Sequence, residues 1–213
     1  GEASILNNIG TVLSQLGKKQ QSLEYFNQSL GLMRRVGDKA GEASLLSNIG
    51  TVHDDIGGKQ YALICYNRAQ SLHRQLGDKA GEAIVLNNIG MIHSTLGDKQ
   101  QALDYFRQAL TLMRQMGDKA SIATSLNNIG GVYAANGDTK SALRYFESAL
   151  ALRIQVGDRF GEVITRWWIG TLHVRAGDQQ MALEQLEMAA NIAAHVNSPN
   201  EQAIRQMIAQ LKR

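Results

Sequence analysis

The sequence predicts an all-α fold: a solenoid of five helix-turn-helix units, 1–40, 41–80, 81–120, 121–160 and 161–200, closed by a C-terminal capping helix over 198–213. Three observations predict it. Every twentieth residue from Gly17 to Gly177 is glycine without one insertion, and seven of these nine glycines precede an aspartate. Between them apolar residues recur at helical spacing, as in Leu86, Ile89, Ile92 and Leu96, or Leu103, Phe106, Leu110 and Met113. Proline, which costs about 3 kcal/mol inside a helix, occurs only as Pro199.

Each element has its own reason. Glycine tolerates the left-handed turn that stops a helix, and aspartate accepts the first free N–H groups of the next one. The 20-residue beat is half of a 40-residue period. First halves carry Leu-Asn-Asn-Ile-Gly at 6–10, 86–90 and 126–130, Leu-Ser-Asn-Ile-Gly at 46–50 and Arg-Trp-Trp-Ile-Gly at 166–170. Second halves carry Ser-Leu-Glu-Tyr-Phe at 22–26, Ala-Leu-Ile-Cys-Tyr at 62–66, Ala-Leu-Asp-Tyr-Phe at 102–106, Ala-Leu-Arg-Tyr-Phe at 142–146 and Ala-Leu-Glu-Gln-Leu at 182–186. Each half is thus an amphipathic helix of roughly 15 residues.

Gly10, Gly50, Gly90, Gly130 and Gly170 form an unbroken column inside the first helix, where each costs about 1 kcal/mol of propensity. Opposite stand two small columns, Ser22, Ala62, Ala102, Ala142 and Ala182, then Ser29, Ala69, Ala109, Ala149 and Ala189. They let two antiparallel helices approach closely, with Phe26, Tyr66, Phe106, Phe146 and Leu186 filling the space beside them.

This order of apolar-Gly, aromatic, Gly-Asp, Ala, aromatic, Ala resembles the tetratricopeptide repeat across all five units. The resemblance implies a right-handed α-solenoid. The proline that follows the second helix in 34-residue repeats is absent, and six further residues, such as Met33-Arg34-Arg35-Val36, lengthen that helix by more than a turn. The longer variant is similar to the 40-residue units of Pins-type scaffolds and kinesin light chain, and to arrays in bacterial multidomain regulators.

At the end, Asn197-Ser198-Pro199-Asn200-Glu201 replaces the expected tenth Gly-Asp. Ser198 with Glu201 predicts a capping box and Pro199 the first helical position. The last helix then turns Ala203, Ile204, Met207, Ile208 and Leu211 inward. The chain begins in mid-pattern without methionine, which predicts a piece of something longer.

Composition narrows the partners. The 22 basic and 19 acidic residues are spread evenly, with no basic stripe to track phosphates, so no nucleic-acid partner is expected. A lone cysteine, Cys65, builds no internal disulfide and suits a reducing, cytoplasmic setting. No apolar stretch approaches the ~20 residues of a membrane span, so no membrane partner is expected.

With the core columns removed, the first helices keep a stripe at unit positions 4, 8, 11 and 15. It reads Ser4, Asn8, Thr11, Gln15; Ser44, Asn48, Thr51, Asp55; Ile84, Asn88, Met91, Thr95; and Thr124, Asn128, Gly131, Ala135. A solvated stripe favours Lys and Glu, so aligned asparagines need a reason. By the resemblance, this face lines the concave groove, and Asn8, Asn48, Asn88 and Asn128 correspond to asparagines that grip a peptide backbone. A carboxamide does offer a donor and an acceptor together. The other reading has them brace neighbouring helices. Asn7, Asn87 and Asn127, with Ser47, are expected to face a neighbouring unit. Specificity is expected from positions that differ: acidic Asp54 and Asp55, basic Arg175, apolar Met91, and Trp167 and Trp168. The two tryptophans either bind or repack a unit perturbed by Arg166.

His53, His93 and His173 share a column, but residues one repeat apart cannot converge on a metal, so a partly buried core role is expected. Gly57-Gly58-Lys59 lacks the rest of a phosphate loop, and Cys65 has no paired base. The expectation is therefore a protein- or peptide-binding scaffold, not an enzyme, needing no cofactor and capable of self-association. A regulatory, sensor or oligomerisation arm of a larger protein is the alternative.

Overall fold

The computed structural model describes residues 1–212, and among them eleven helices and no strand. They are α1 (Glu2–Gln15), α2 (Lys19–Val36), α3 (Lys39–Asp55), α4 (Lys59–Leu76), α5 (Lys79–Thr95), α6 (Lys99–Met116), α7 (Lys119–Ala135), α8 (Thr139–Val156), α9 (Arg159–Ala176), α10 (Gln179–His195) and α11 (Glu201–Leu211). They fall into two compact halves, Gly1–Leu112 and Met113–Arg213, divided within α6. In the first half α1 packs on α2 and α3 on α4, with α2 also against α3 and α4 against α5. In the second, α7 packs on α8 and α9 on α10, α8 meets α9, and α11 covers α10.

The punctuation works as its chemistry dictates. All nine beat glycines, Gly17 to Gly177, have φ between 69° and 84°, the left-handed region that side chains resist. Asp38, Asp78, Asp118, Asp138, Asp158 and Asp178 each accept the backbone N–H three residues on, at 2.8–3.2 Å. The second helices α2, α4, α6 and α8 run 18 residues each, reaching the glycine that stops them.

The helical glycine column lies directly against the large residues of the second helices. A Cβ built on Gly10 would lie 2.6 Å from the Phe26 ring, on Gly50 2.7 Å from Tyr66, on Gly90 2.7 Å from Phe106, on Gly130 2.9 Å from Phe146, and on Gly170 2.7 Å from Leu186. The missing side chain admits the large residue, while both small columns are buried beside it. In the first pair the small residues also tie helices together: Ser22 Oγ donates to the Gly10 carbonyl at 2.7 Å and Ser29 Oγ to that of Ala3 at 2.8 Å.

The predicted capping box does not form. Helix α11 starts at Glu201, two residues after Pro199, and Ser198 Oγ accepts from the Asn200 N–H at 3.3 Å. Asn197 takes the left-handed place of the absent glycine, at φ 51°, because asparagine tolerates that region best after glycine. The final helix still buries Ile204, with Met207, Ile208 and Leu211 against the same core.

Candidate functional site: the exposed face of the first helices

The stripe at positions 4, 8, 11 and 15 stays outside the core. Ser4, Ser44, Ile84 and Thr124 are exposed, as are Gln15, Asp55, Thr95 and Ala135. Asn8 is exposed, while Asn48, Asn88 and Asn128 are half-buried. In the first half α1 touches α3 and α3 touches α5, so Asn8, Asn48 and Asn88 lie on successive neighbours. In the second half α7 touches α9, bringing Asn128 and Trp168 to adjacent helices.

One depression gathers several of these residues. About 150 Å³ in volume, it is lined by Thr11, Ser14 and Gln15 of α1, Phe26 of α2, and Asn48, Thr51 and Val52 of α3. Its hydroxyls are partly committed: Thr11 donates to the Asn7 carbonyl at 2.9 Å and Thr51 to that of Ser47 at 3.1 Å. Thr51 Oγ1 also lies 3.0 Å from the Tyr66 hydroxyl. Burial pushes the Tyr66 phenol up, which keeps it protonated as a donor, although its bond to Thr51 acts the other way.

Asn48 braces a neighbouring helix. Its Nδ2 donates to Asn7 Oδ1 across 3.1 Å, joining α3 to α1, which leaves its own carbonyl and second N–H. The position-7 column does face a neighbouring repeat, since Asn7 receives Asn48 and Asn127 Oδ1 receives Thr165 at 3.1 Å.

Asp54 and Asp55 of the second repeat both have lysine partners. Asp55 pairs with Lys19 at 2.5 Å and Asp54 with Lys59 at 2.8 Å, so the local charge is compensated. Met91 stands exposed on α5 and Arg175 on α9. Trp168 lies nearly parallel to Phe146, ring centroids 6.1 Å apart, yet keeps 39 % of its surface exposed. Trp167 packs inward with the core of α10 and α11, its Nε1 buried without a partner.

The histidine column is half-buried, and two of its three members stack on tyrosines. His53 lies on Tyr61 at 5.5 Å and His93 on Tyr105 at 5.4 Å, as Tyr133 lies on Tyr145 at 5.5 Å. Among the described residues no group of His, Cys, Asp or Glu could hold a metal, and no helix is long and apolar enough to cross a membrane. Burial pushes the Cys65 thiol up, against the pull of Arg34.

A column of buried glutamates escaped the sequence reading. Glu42 and Glu162 are 1 % and 3 % exposed, and Glu82 is buried too. Arg34 and Arg68 meet Glu42 at 2.9 and 3.0 Å, and Arg74 meets Glu82 at 2.6 Å. Where the fourth second helix has Ile154 in place of that arginine, Arg159 and Arg166 reach Glu162, both at 2.9 Å. Arg166, in the place of a core leucine, thus replaces a missing cation. The Gly-Glu pairs at 41–42, 81–82 and 161–162, each eight residues past Arg34, Arg74 or Ile154, carried the signal.

Paired helices with glycine seams, stacked in each half so that neighbouring first helices carry polar residues on an exposed side, define a helical repeat protein of the α-solenoid class. The tetratricopeptide repeat profile matches residues 1–72, 60–115 and 121–194. The chain belongs to the tetratricopeptide repeat family. No curated protein sequence matches it. Solved structures share the fold. BtubC (BKLC) from P. vanneervenii superposes with a TM-score of 0.80 at 22 % identity, covering 90 % of this chain and 80 % of that one. A Rap protein complexed with competence and sporulation factor gives 0.80 at 18 %, covering 91 % and 54 %. The signal transduction ATPase PH0952 from Pyrococcus horikoshii, which carries a tetratricopeptide repeat sensor, gives 0.83 at 16 %, covering 98 % of this chain and 33 % of that one.

Proposed function

We propose that this chain, as a tetratricopeptide repeat protein, mediates protein–protein interaction by holding an extended peptide segment on the exposed face of its first helices. The carrying observation is the depression where Thr11, Asn48 and Thr51 meet over Phe26 and Val52. There a carboxamide already held by Asn7 presents its carbonyl and one N–H beside apolar surface. Held groups lose less entropy on binding. Within the first half Asn8 and Asn88 repeat the donor-acceptor pair and Met91 supplies apolar contact; within the second, Asn128 repeats the pair, Trp168 supplies apolar contact and Arg175 a cation for an acidic residue. Asp55 acts with Lys19 as a polar pair rather than as a free charge. The Rap neighbour, solved in complex with competence and sporulation factor, supports a bound partner for this fold. We place the chain in the cytoplasm and assign it no catalytic role.

The test begins with peptides selected on the chain from a random library. Asn48→Ala, Asn88→Ala and Asn128→Ala together are expected to weaken such a peptide by about tenfold or more, from bonds of roughly 0.5–1.5 kcal/mol each. Unchanged affinity in a triple variant of wild-type helicity contradicts the proposal. A second reading, a sensor arm of a larger protein, draws support from the repeat sensor of the Pyrococcus ATPase. The sequence of the complete gene tests it, because without an attached effector domain there is nothing for the arm to regulate.

A further inference from the structure

The glutamate column breaks once. At the second position of the fourth repeat stands Ile122, where Glu42, Glu82 and Glu162 hold buried carboxylates. The arginine eight residues upstream is kept, as Arg114. A further cation, Arg144, stands where the other repeats have Glu24, Ile64, Asp104 and Glu184.

Both guanidinium groups line one cavity of about 310 Å³, between the last turn of α6, α7 and α8. The equivalent furrow one repeat earlier holds about 260 Å³, and there Glu82 occupies Arg74 at 2.6 Å. In the later furrow no carboxylate pairs with either arginine, and neither guanidinium has a hydrogen-bond partner among the described residues. Ser141 and Tyr145 add hydroxyl donors to the wall, and Leu126 adds apolar surface. Ser148, also on the wall, has its hydroxyl proton committed to the Arg144 carbonyl at 2.8 Å.

We propose that this furrow binds a phosphate group, free or as the monoester of a small molecule. Two guanidinium groups and two neutral hydroxyls offer donors with no competing carboxylate, and a charge that suits a dianion, which guanidinium forks bind with paired hydrogen bonds. The volume lies at the small end of ligand sites and leaves room beside the phosphate for the group that carries it. The site is separate from the asparagine face, so its existence does not depend on peptide binding there.

The test uses the whole chain at low ionic strength, titrated with O-phospho-L-serine and with inorganic phosphate, serine being the control, and followed by backbone amide shifts. Saturable shifts around residues 114, 133 and 141–148 are expected with both phosphates and not with serine. The tighter of the two identifies the source. Arg114→Gln and Arg144→Gln, both exposed positions, are expected to weaken binding about tenfold each. Ile122→Glu removes no cation but restores the missing partner of Arg114, and is expected to weaken it similarly. Absence of saturation, or binding that both arginine variants leave unchanged in folded protein, overturns the proposal.

Discussion

The Nδ2 of Asn48 lies 3.1 Å from Oδ1 of Asn7, so one carboxamide of the candidate face is held by a residue of the neighbouring position-7 column in the preceding repeat. This bond links the face to the fold. Asn7→Ala is expected to cost about 0.5–1.5 kcal/mol of stability and to leave Asn48 unrestrained. Chemical denaturation of Asn7→Ala, Asn48→Ala and the double variant measures it. Additive losses would show that the two side chains do not act as a pair.

Gly90 gives a second prediction. Alanine there gains about 1 kcal/mol of helix propensity, but its Cβ would sit 2.7 Å from the Phe106 ring. Because a buried ring in a packed core yields poorly, overpacking should win, with a net loss of about 1–3 kcal/mol. A stabilised Gly90→Ala would contradict the close seam.

Acid should weaken the fold through carboxylates that are ion-paired or hydrogen-bonded in the folded state. Burial alone would raise the Glu42 carboxyl, but the Arg34 hydrogen bond and the charges of Arg34, Arg68 and Lys39 outweigh it and hold it below its ordinary 4.5. Asp78 is also held below 3.8, chiefly by the Gly81 N–H and His73, and Asp118 chiefly by Ser121. A carboxyl depressed in the folded state stabilises above its unfolded value, and that stability goes as pH falls through the folded one. Denaturation midpoints measured from pH 7 to 3 should therefore fall below about pH 4.5, and less steeply in Glu42→Gln.

Trp168 separates packing from binding. Trp168→Phe keeps a ring over Phe146 and should preserve most of the stability, whereas Trp168→Ala should lose about 0.5–1.5 kcal/mol of stacking besides the buried area. Melting curves and peptide affinities of both variants check this. If the phenylalanine variant binds a selected peptide as well as wild type does, Trp168 contributes packing alone.

The fold was legible because its determinants are local. Gly37 followed by Asp38 stops one helix and starts the next with contacts at most a few residues long, and the sequence states both. The exposure of Asn8, Thr51 and Met91 was also legible, since position along a helix decides which face a residue takes. What escaped depends on contacts between repeats. Lys19 reaches Asp55 across 36 residues, so an apparent acidic patch became a pair. Arg166 looked like a defect in a leucine column until Glu162 was found beside it, four residues away but buried only by the packed neighbours. Ser198 and Glu201 had the spacing of a capping box, yet the turn through Asn197 set the serine hydroxyl against Asn200 instead.

The most direct measurement follows the side-chain amide resonances of Asn8, Asn48, Asn88 and Asn128 while a library-selected peptide is added. Saturable shifts of these carboxamides are predicted, with those of Asn48 and Asn88 moving together because α3 and α5 touch. A peptide that binds while all four stay still, and other parts of the chain respond, would contradict the account.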